Sequence, residues 1–254
     1  MHIVYFDIDG TLAIGKNVPP SAQEALRQLR ANGDLVFICT GRNPSYAQKN
    51  FAQYADGFIC CNGRLAVMGE KILYDHPMEK EQIKEIIALL DSVGAGYVFL
   101  ETEAGWYGGA EEGFEALASV QDPGFVRKGI DPENIHPYSF DVWFRDLDMR
   151  HAIERVLDGI CLLNPHGPHP SADMTVLGID KGTALVSVAE VLGVNIRDTY
   201  AFGDGVNDIC MIEAAGHGIA MGNGVDRVKE KAEFVTTEIL DDGVMNGLKH
   251  YGLI

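Results

Sequence analysis

Residues 3–11 read IVYFDIDGT, an apolar run followed directly by two aspartates, a glycine and a threonine. Its first four residues, from Ile3 to Phe6, are all apolar and predict a short strand that is buried on both faces. The chain then turns abruptly polar at Asp7-Ile8-Asp9-Gly10-Thr11. In an open parallel sheet ligands bind just beyond the carboxyl ends of the strands, so these polar residues are the first candidates for a site.

Three further segments repeat this pattern of an apolar strand that ends on polar residues. Residues 35–39 end on Thr40-Gly41-Arg42, residues 57–61 end on Asn62-Gly63, and residues 199–202 end on Gly203-Asp204-Gly205-Val206-Asn207-Asp208. Segments with helical spacing separate these strands. The alternation predicts an α/β fold, a Rossmann-like core whose parallel sheet is covered by helices on both faces.

The first of these helices is expected to begin at Ser21. Ser21 is a plausible N-cap, and Glu24 follows three residues later as in a capping box. Apolar residues then recur at helical spacing up to the stop signal at Asn32-Gly33. A second helix is expected at about residues 45–54.

The pattern changes in the middle third of the chain. Residues 140–144 alternate as a half-exposed antiparallel strand would, and residues 122–137 are rich in Gly and Pro and predict a long surface loop. Other helices and strands are expected there at residues 80–92, 97–100, 149–157, 161–163 and 174–177. We therefore predict a core domain of residues 1–77 and 178–254, interrupted by an α+β domain of residues 78–177.

Composition narrows the possible partners. The formal net charge of −17 repels nucleic acid and anionic membrane surfaces, so neither is expected as a partner. The five cysteines form no CxxC pair, which argues against a zinc site and against a disulfide framework. Without an apolar stretch of membrane-span length or a leader-like start, we expect a cytoplasmic protein, monomeric or weakly homodimeric.

The polar clusters at the strand ends suggest the chemistry. Asp7, Asp9, Asp204 and Asp208 would meet at one edge of the sheet, where carboxylates repel one another unless a cation binds them. The cluster contains neither His nor Cys, and hard oxygen ligands suit Mg²⁺. The sequence therefore predicts a magnesium site.

Four motifs in order carry a specific resemblance. The DxDGT run at residues 7–11, Thr40-Gly41-Arg42, Lys181 within residues 178–182, and the GDxxND run at residues 203–208 resemble the four motifs of the haloacid dehalogenase superfamily. The insertion between the second and third motifs is similar to the C2B cap of the Cof-type phosphatases. Residues 220–224 and Asp242-Gly243 resemble that branch as well.

This resemblance implies a role for each residue. Asp7 would be the nucleophile that forms an aspartyl-phosphate, and Asp9 the general acid and base. Mg²⁺ would be held by Asp7, Asp204 and the backbone carbonyl of Asp9, with Asp208 orienting these ligands or Lys181. The implied phosphate and substrate contacts are Thr40, Gly41, Arg42, Lys181, Asn207, Asn62 and Gly63. For Asn62-Gly63 a plain strand-end turn is an equal alternative.

The expected activity is the hydrolysis of a phosphate monoester of a small metabolite, such as a sugar phosphate or a phosphorylated cofactor. Two alternatives stay open. A phosphotransferase or phosphomutase would use the same nucleophile, and a regulatory protein would bind a phosphorylated metabolite without turnover. The complete set of Asp7, Asp9, Lys181 and Asp204 argues against a pure binder, which needs no nucleophile.

Overall fold

The computed structural model describes residues 1–121 and 123–254 and consists of two compact units. One unit comprises Met1–Asp75 together with Ile179–Ile254, and the other comprises His76–Gly178. Asp122, the first residue of the expected surface loop, lies outside the described residues. Every helix in the described ranges is too short or too polar to cross a membrane.

The chain opens with alternating strands and helices, followed by a hairpin. β1, β2 and β3 pair in parallel, whereas β4 and β5 continue the sheet antiparallel. The elements are β1 (Ile3–Phe6), α1 (Pro20–Ala31), β2 (Leu35–Cys39), α2 (Pro44–Phe51), β3 (Gly57–Cys60), β4 (Leu65–Met68) and β5 (Lys71–Asp75).

Helix α1 begins ahead of its expected cap. Pro20 is its first residue, and Pro19 precedes it without any side-chain cap. Proline is favoured at this position because its φ is already helical and its missing N–H has no partner to lose. Glu24 accepts hydrogen bonds from Arg27 and Gln28 on the helix surface. The prediction that Ser21 caps this helix is therefore wrong.

The unit His76–Gly178 is built on its own six-stranded sheet, in the order β10-β11-β9-β6-β7-β8. All neighbours in this sheet are antiparallel except β7 and β8. Its elements are α3 (Lys80–Ser92), β6 (Gly96–Leu100), β7 (Gly105–Gly109), α4 (Phe114–Ser119), β8 (Val126–Lys128), β9 (Ser139–Trp143), α5 (Leu147–Val156), β10 (Cys161–Pro165) and β11 (Ser171–Val176).

Two expectations fail in this unit. Strand β9 is buried along its whole length rather than half-exposed. Phe140 and Val142 join the apolar core with Ile83 and Ile153, while the adjacent Trp143 packs beside Gly113 at the start of α4. Helix α4 was not predicted. It packs over the face of β9 that was expected to be exposed. The expected loop of residues 122–137 also contains strand β8.

The remaining chain returns to parallel α/β alternation. It adds three parallel strands to the first sheet, whose order is β14-β13-β12-β1-β2-β3-β4-β5. The elements are α6 (Lys181–Leu192), β12 (Thr199–Gly203), α7 (Ile209–Ala214), β13 (His217–Ala220), α8 (Asp226–Lys229), β14 (Phe234–Val235) and α9 (Gly243–His250). Helix α9 was not anticipated from the sequence.

Strand order positions the functional residues. β1 lies between β12 and β2, so the chain winds outward from β1 in one direction and from β12 in the other. Phe6 is in register with both Phe202 and Ile38, and the three strands therefore end at the same level. At such a reversal of strand order the connecting loops diverge and leave a crevice at the carboxyl edge.

Candidate active site

Asp7 stands at the carboxyl edge of the sheet. It follows β1 directly, and its backbone N–H donates to the Phe202 carbonyl of β12 at 3.0 Å. Its carbonyl accepts from the Leu12 N–H at 3.2 Å, which closes the turn after the strand. The residue is 7% exposed. The turn thus holds a nearly buried carboxylate at the reversal of strand order.

Lys181 is the buried cation of the site. It is the first residue of α6, after the N-cap Asp180, whose side chain accepts from the Thr183 N–H at 2.8 Å. A lysine at a helix start is normally solvated, yet Lys181 is 1% exposed. Its Nζ lies 2.6 Å from Oδ1 of Asp7 and 2.6 Å from Oδ1 of Asp208. The ammonium therefore links two buried carboxylates.

Asp208 braces the loop after β12. Its Oδ2 accepts from the backbone N–H groups of Asp204, at 3.0 Å, and Gly205, at 2.9 Å. A Cβ on Gly203 would lie 2.5 Å from Cβ of Asp208, so the close fold of this loop needs glycine there. With Lys181 on its Oδ1, Asp208 has a hydrogen-bonding partner on each oxygen.

Asp204 faces the turn after β1. The Thr11 hydroxyl donates to its Oδ1 at 2.7 Å, and Thr11 itself is fully buried. Gly10 has a φ of +95°, and a Cβ there would lie 2.3 Å from Oδ2 of Asp204. Glycine is required at this position both by the left-handed backbone and by the approach of the carboxylate.

Three carboxylates converge with geometry that fits a divalent cation. One oxygen each from Asp7, Asp204 and Asp208 lies within 4.8 Å of the others. If all ionise, these carboxylates and the Lys181 ammonium leave two negative charges, which one Mg²⁺ would balance. Oxygen donors alone are the ligand set that Mg²⁺ prefers. The residues present therefore fit the magnesium site expected from the sequence.

Burial and mutual repulsion shift the pKa values in the cluster. Burial, and next the charge of Asp208, raise the pKa of Asp7 to about 7, although Lys181 acts in the opposite direction. Burial raises the pKa of Asp204 to about 6, against the hydrogen bond from Thr11. For Lys181 burial lowers the pKa, but Asp208 and Asp7 outweigh it and hold the pKa well above its ordinary value. Lys181 is thus protonated.

Asp9 stands apart from the buried carboxylates. Its side chain is exposed, and its Oδ2 accepts from Nε of Arg42 at 3.3 Å. The Arg42 guanidinium lies over the Tyr46 ring, with its Cζ 5.1 Å from the ring centroid. The Asp9 side chain is not part of the cluster formed by Asp7, Asp204 and Asp208. Its solvent-facing position suits proton exchange with a substrate or with water.

The predicted phosphate-binding residues of the β2 end form a second group beside Asn62. Thr40 is buried, and its Oγ1 accepts from the Arg42 N–H at 3.1 Å. The Asn62 N–H donates to the Thr40 carbonyl at 3.2 Å. A Cβ on Gly41 would meet the Asn62 side chain at 3.0 Å. Arg42 joins this group to Asp9.

Gly63 and Asn207 differ in their surroundings. Gly63 has a φ of +101°, and a Cβ there would lie 2.1 Å from the Asp180 carbonyl oxygen. This contact favours the structural alternative for Gly63, since it lets the loop after β3 pack against the start of α6. Asn207 is exposed, next to Asp208 in the loop after β12, with its side chain beside Gly205.

Sequence reasoning missed two contacts of the site. Thr11 lies in the quoted DxDGT run, and its place at the strand end was a signal that its hydroxyl would face the site, although its acceptor is the distant Asp204 rather than Asp7 or Asp9. Tyr46 offered no signal, because its ring meets Arg42 only after the turn between β2 and α2 has formed. Thr11 orients a carboxylate of the cluster, whereas Tyr46 supports the partner of Asp9.

Comparison with known proteins identifies the family of this chain. The sequence profile of the haloacid dehalogenase-like hydrolases matches residues 4–248. YkrA of Bacillus subtilis is 30% identical over 263 residues, which cover 99% of this chain and 98% of YkrA. The pyridoxal phosphate phosphatase YbhA of Escherichia coli is 29% identical over 95% of each chain. The structure of the subclass IIB sugar phosphatase BT4131 matches with a TM-score of 0.80 and 27% identity over 100% of both chains.

Proposed function

The chain belongs to the haloacid dehalogenase-like hydrolases and is a phosphatase, and we propose that it hydrolyses a phosphate monoester of a small metabolite with Asp7 as nucleophile. One observation carries the proposal. The Asp7 carboxylate is held at 2.6 Å by the buried ammonium of Lys181, inside a group of carboxylates that fits Mg²⁺. A structural ion pair would need neither the third carboxylate nor this position at the sheet edge.

The first half of the reaction forms an acyl phosphate on the chain. Lys181 bonds Oδ1 of Asp7, so we assign the attack on phosphorus to Oδ2. A bond forms between Oδ2 and phosphorus while the bond from phosphorus to the leaving oxygen breaks. Asp9 donates its proton to that oxygen, and the alcohol departs. This half-reaction leaves an aspartyl-phosphate at Asp7 and a carboxylate at Asp9.

The second half restores the protein. The Asp9 carboxylate takes a proton from a water molecule, and the water oxygen attacks the phosphorus of the aspartyl-phosphate. The bond between phosphorus and Oδ2 of Asp7 breaks, and inorganic phosphate leaves. The exposed position of Asp9 supports this role because both the leaving alcohol and the incoming water must reach it.

The remaining residues of the site are proposed to stabilise the negative charge of the transferring phosphoryl group. When bound, Mg²⁺ supplies positive charge to the transferring phosphoryl oxygens, and Asp7, Asp204 and the Asp9 carbonyl would hold it. Asp208 contributes by orienting Lys181 and the loop that carries Asp204. The remaining phosphate contacts that we propose are Thr40, Gly41, Arg42, Lys181, Asn207 and Asn62, with Gly63 supporting the Lys181 helix.

The substrate class follows from the chain's charge and its relatives. A net charge of −17 disfavours large polyanions, and the similar proteins YbhA and BT4131 are phosphatases for pyridoxal phosphate and for sugar phosphates. We propose a phosphorylated sugar or cofactor as the substrate.

Phosphate release from a panel of phosphorylated metabolites, with Mg²⁺ present, tests the proposal. Wild type should release phosphate from sugar or cofactor esters, and Asp7→Asn should release none. Asp34→Asn is the matched control, because Asp34 is equally buried but bonds His2 away from the site. Turnover by Asp7→Asn at the rate of Asp34→Asn would exclude Asp7 as the nucleophile. Transfer of the phosphoryl group to an added alcohol instead of water would identify a phosphotransferase, and binding without turnover a regulatory protein.

A further inference from the structure

The side chain of Asn223 bridges two backbone segments that are far apart in sequence. Its Nδ2 donates to the Gly10 carbonyl at 2.8 Å, and its Oδ1 accepts from the Ile239 N–H at 2.9 Å. Asn223 is exposed, where an amide normally bonds water. Here both polar atoms of the amide bond backbone groups, so the side chain has one fixed orientation.

The Gly10 end of this bridge rests against a carboxylate of the metal-binding cluster. A Cβ on Gly10 would lie 2.3 Å from Oδ2 of Asp204, so the Gly10 backbone forms the surface on which that carboxylate sits. A shift of the Gly10 peptide by a few tenths of an ångström would therefore move Asp204 relative to Asp7. Asn223 bonds the carbonyl of this same peptide unit.

The residues after Asn223 hold Asp204 from its other side. The Val225 N–H donates to the Asp204 carbonyl at 3.0 Å, and a Cβ on Gly224 would lie 3.2 Å from Cα of Asp204. One short segment thus contacts both the peptide under the Asp204 carboxylate and the Asp204 backbone. The distance between Gly10 and Asp204 therefore depends on the position of residues 223–225.

The Ile239 end of the bridge lies in a tightly bonded loop, residues 236–243, which we call the anchor loop. Within it the Thr236 hydroxyl donates to the Gly243 carbonyl at 2.7 Å. Asp242 has a φ of +55°, a left-handed backbone that Asp tolerates better than most non-glycine residues. The Gly222 N–H also bonds this loop, at the Thr237 carbonyl. The anchor loop is therefore a firm support for Asn223.

We propose that Asn223 is a positioning residue that fixes the Gly10 backbone against Asp204 and thereby sets the affinity of the carboxylate cluster for Mg²⁺. It acts through Gly10. This role rests on the proposed function, because it presumes that Asp7 and Asp204 hold a divalent cation. Groups that orient metal ligands typically change metal affinity by roughly 10- to 100-fold when they are removed.

Calorimetric titration of the purified full chain with Mg²⁺, combined with its melting temperature, tests the role. Asn223→Ala should weaken Mg²⁺ binding by about 10- to 100-fold. Asn32→Ala is the matched control, because Asn32 is also exposed and donates through Nδ2 to a distant carbonyl, that of Leu253, at 2.9 Å. We expect both variants to lose similar thermal stability and Asn32→Ala to bind Mg²⁺ as wild type does. Equal affinities for the two variants would overturn the proposal.

A second variant covers the case in which Asn223→Ala does not fold. Asn223→Asp keeps an acceptor for the Ile239 N–H but loses the donor to Gly10. Its added negative charge would by itself attract Mg²⁺, so weaker binding supports positioning, and equal or tighter binding overturns it. Asp204→Asn tests the proposed metal site separately from the positioning role of Asn223. If this variant binds Mg²⁺ as wild type does, the proposed metal site is wrong and the role of Asn223 falls with it.

Discussion

Lys181 and Asp208 are each 1% exposed, and Nζ of Lys181 lies 2.6 Å from Oδ1 of Asp208. The other oxygen of Asp208 accepts hydrogen bonds from the backbone N–H groups of Asp204 and Gly205. One buried carboxylate therefore connects the ammonium beside the nucleophile with the loop that carries Asp204. The pair couples two halves of the site that lie far apart in the sequence.

Breaking this pair should cost stability as well as activity. We predict that Lys181→Met lowers the free energy of unfolding by about 3–5 kcal/mol, because it leaves Asp208 and Asp7 buried without their cation. Urea unfolding of the metal-free protein measures the change. In the double variant Lys181→Met/Asp208→Asn part of the loss should return, since one uncompensated charge has gone. Strictly additive losses would show that the two side chains are not energetically coupled.

Substitutions of Asp9 and of Arg42, which form an ion pair, should lower kcat by different amounts. Asp9→Asn keeps the backbone carbonyl but loses the proton donor, so we expect kcat to fall by about 10²–10⁴-fold. Arg42→Met removes the exposed ion pair at 3.3 Å, the contact with Tyr46 and a proposed phosphate contact, and we expect a smaller fall in kcat with a higher KM. Steady-state kinetics on one phosphate ester measure both. An Asp9→Asn variant with wild-type kcat would exclude Asp9 as acid and base.

Magnesium affinity should depend on pH. The raised pKa values, about 7 for Asp7 and about 6 for Asp204, mean that both carboxyls bind protons in acid that must leave before the metal can bind. Affinity should therefore be weak near about pH 5 and rise through the range from 6 to 7, with protons released on binding. Calorimetry in buffers of different ionisation enthalpy measures both quantities. The same affinity below and above this range would contradict the prediction.

Substrate discrimination is predicted to reside in the unit His76–Gly178, since all the phosphate contacts that we propose belong to the other unit and every phosphate ester presents the same group to them. On its sheet the half-buried Asp173 stands directly opposite the half-buried Asn164. These acceptors suit hydroxyl groups of a sugar. Asp173→Asn should change the kcat/KM ranking across phosphate esters and leave Mg²⁺ affinity unchanged. The exposed Asp158→Asn is the control, and identical rankings in both variants would contradict this prediction.

The parallel part of the fold was predictable because its first three strands, β1, β2 and β3, are almost entirely apolar. β1, β2 and β12 could be placed from composition alone, and the change from apolar to polar residues marked their carboxyl ends. Prediction failed where a distant element changes exposure. β9 alternates like a half-exposed strand, but α4 covers its second face. No pattern within a strand reports what packs over it.

The residue types of the site and their order along the chain could be read from the sequence. It also showed that Asp7, Thr40 and Asp204 each follow an apolar strand, because strand length and polarity are local properties. Only the tertiary structure decided that Lys181 is buried between Asp7 and Asp208, that Asp9 faces solvent beside Arg42, and that Asn223 reaches Gly10. These contacts join residues 27 to 213 positions apart, and such pairings arise from packing, which no local spacing encodes.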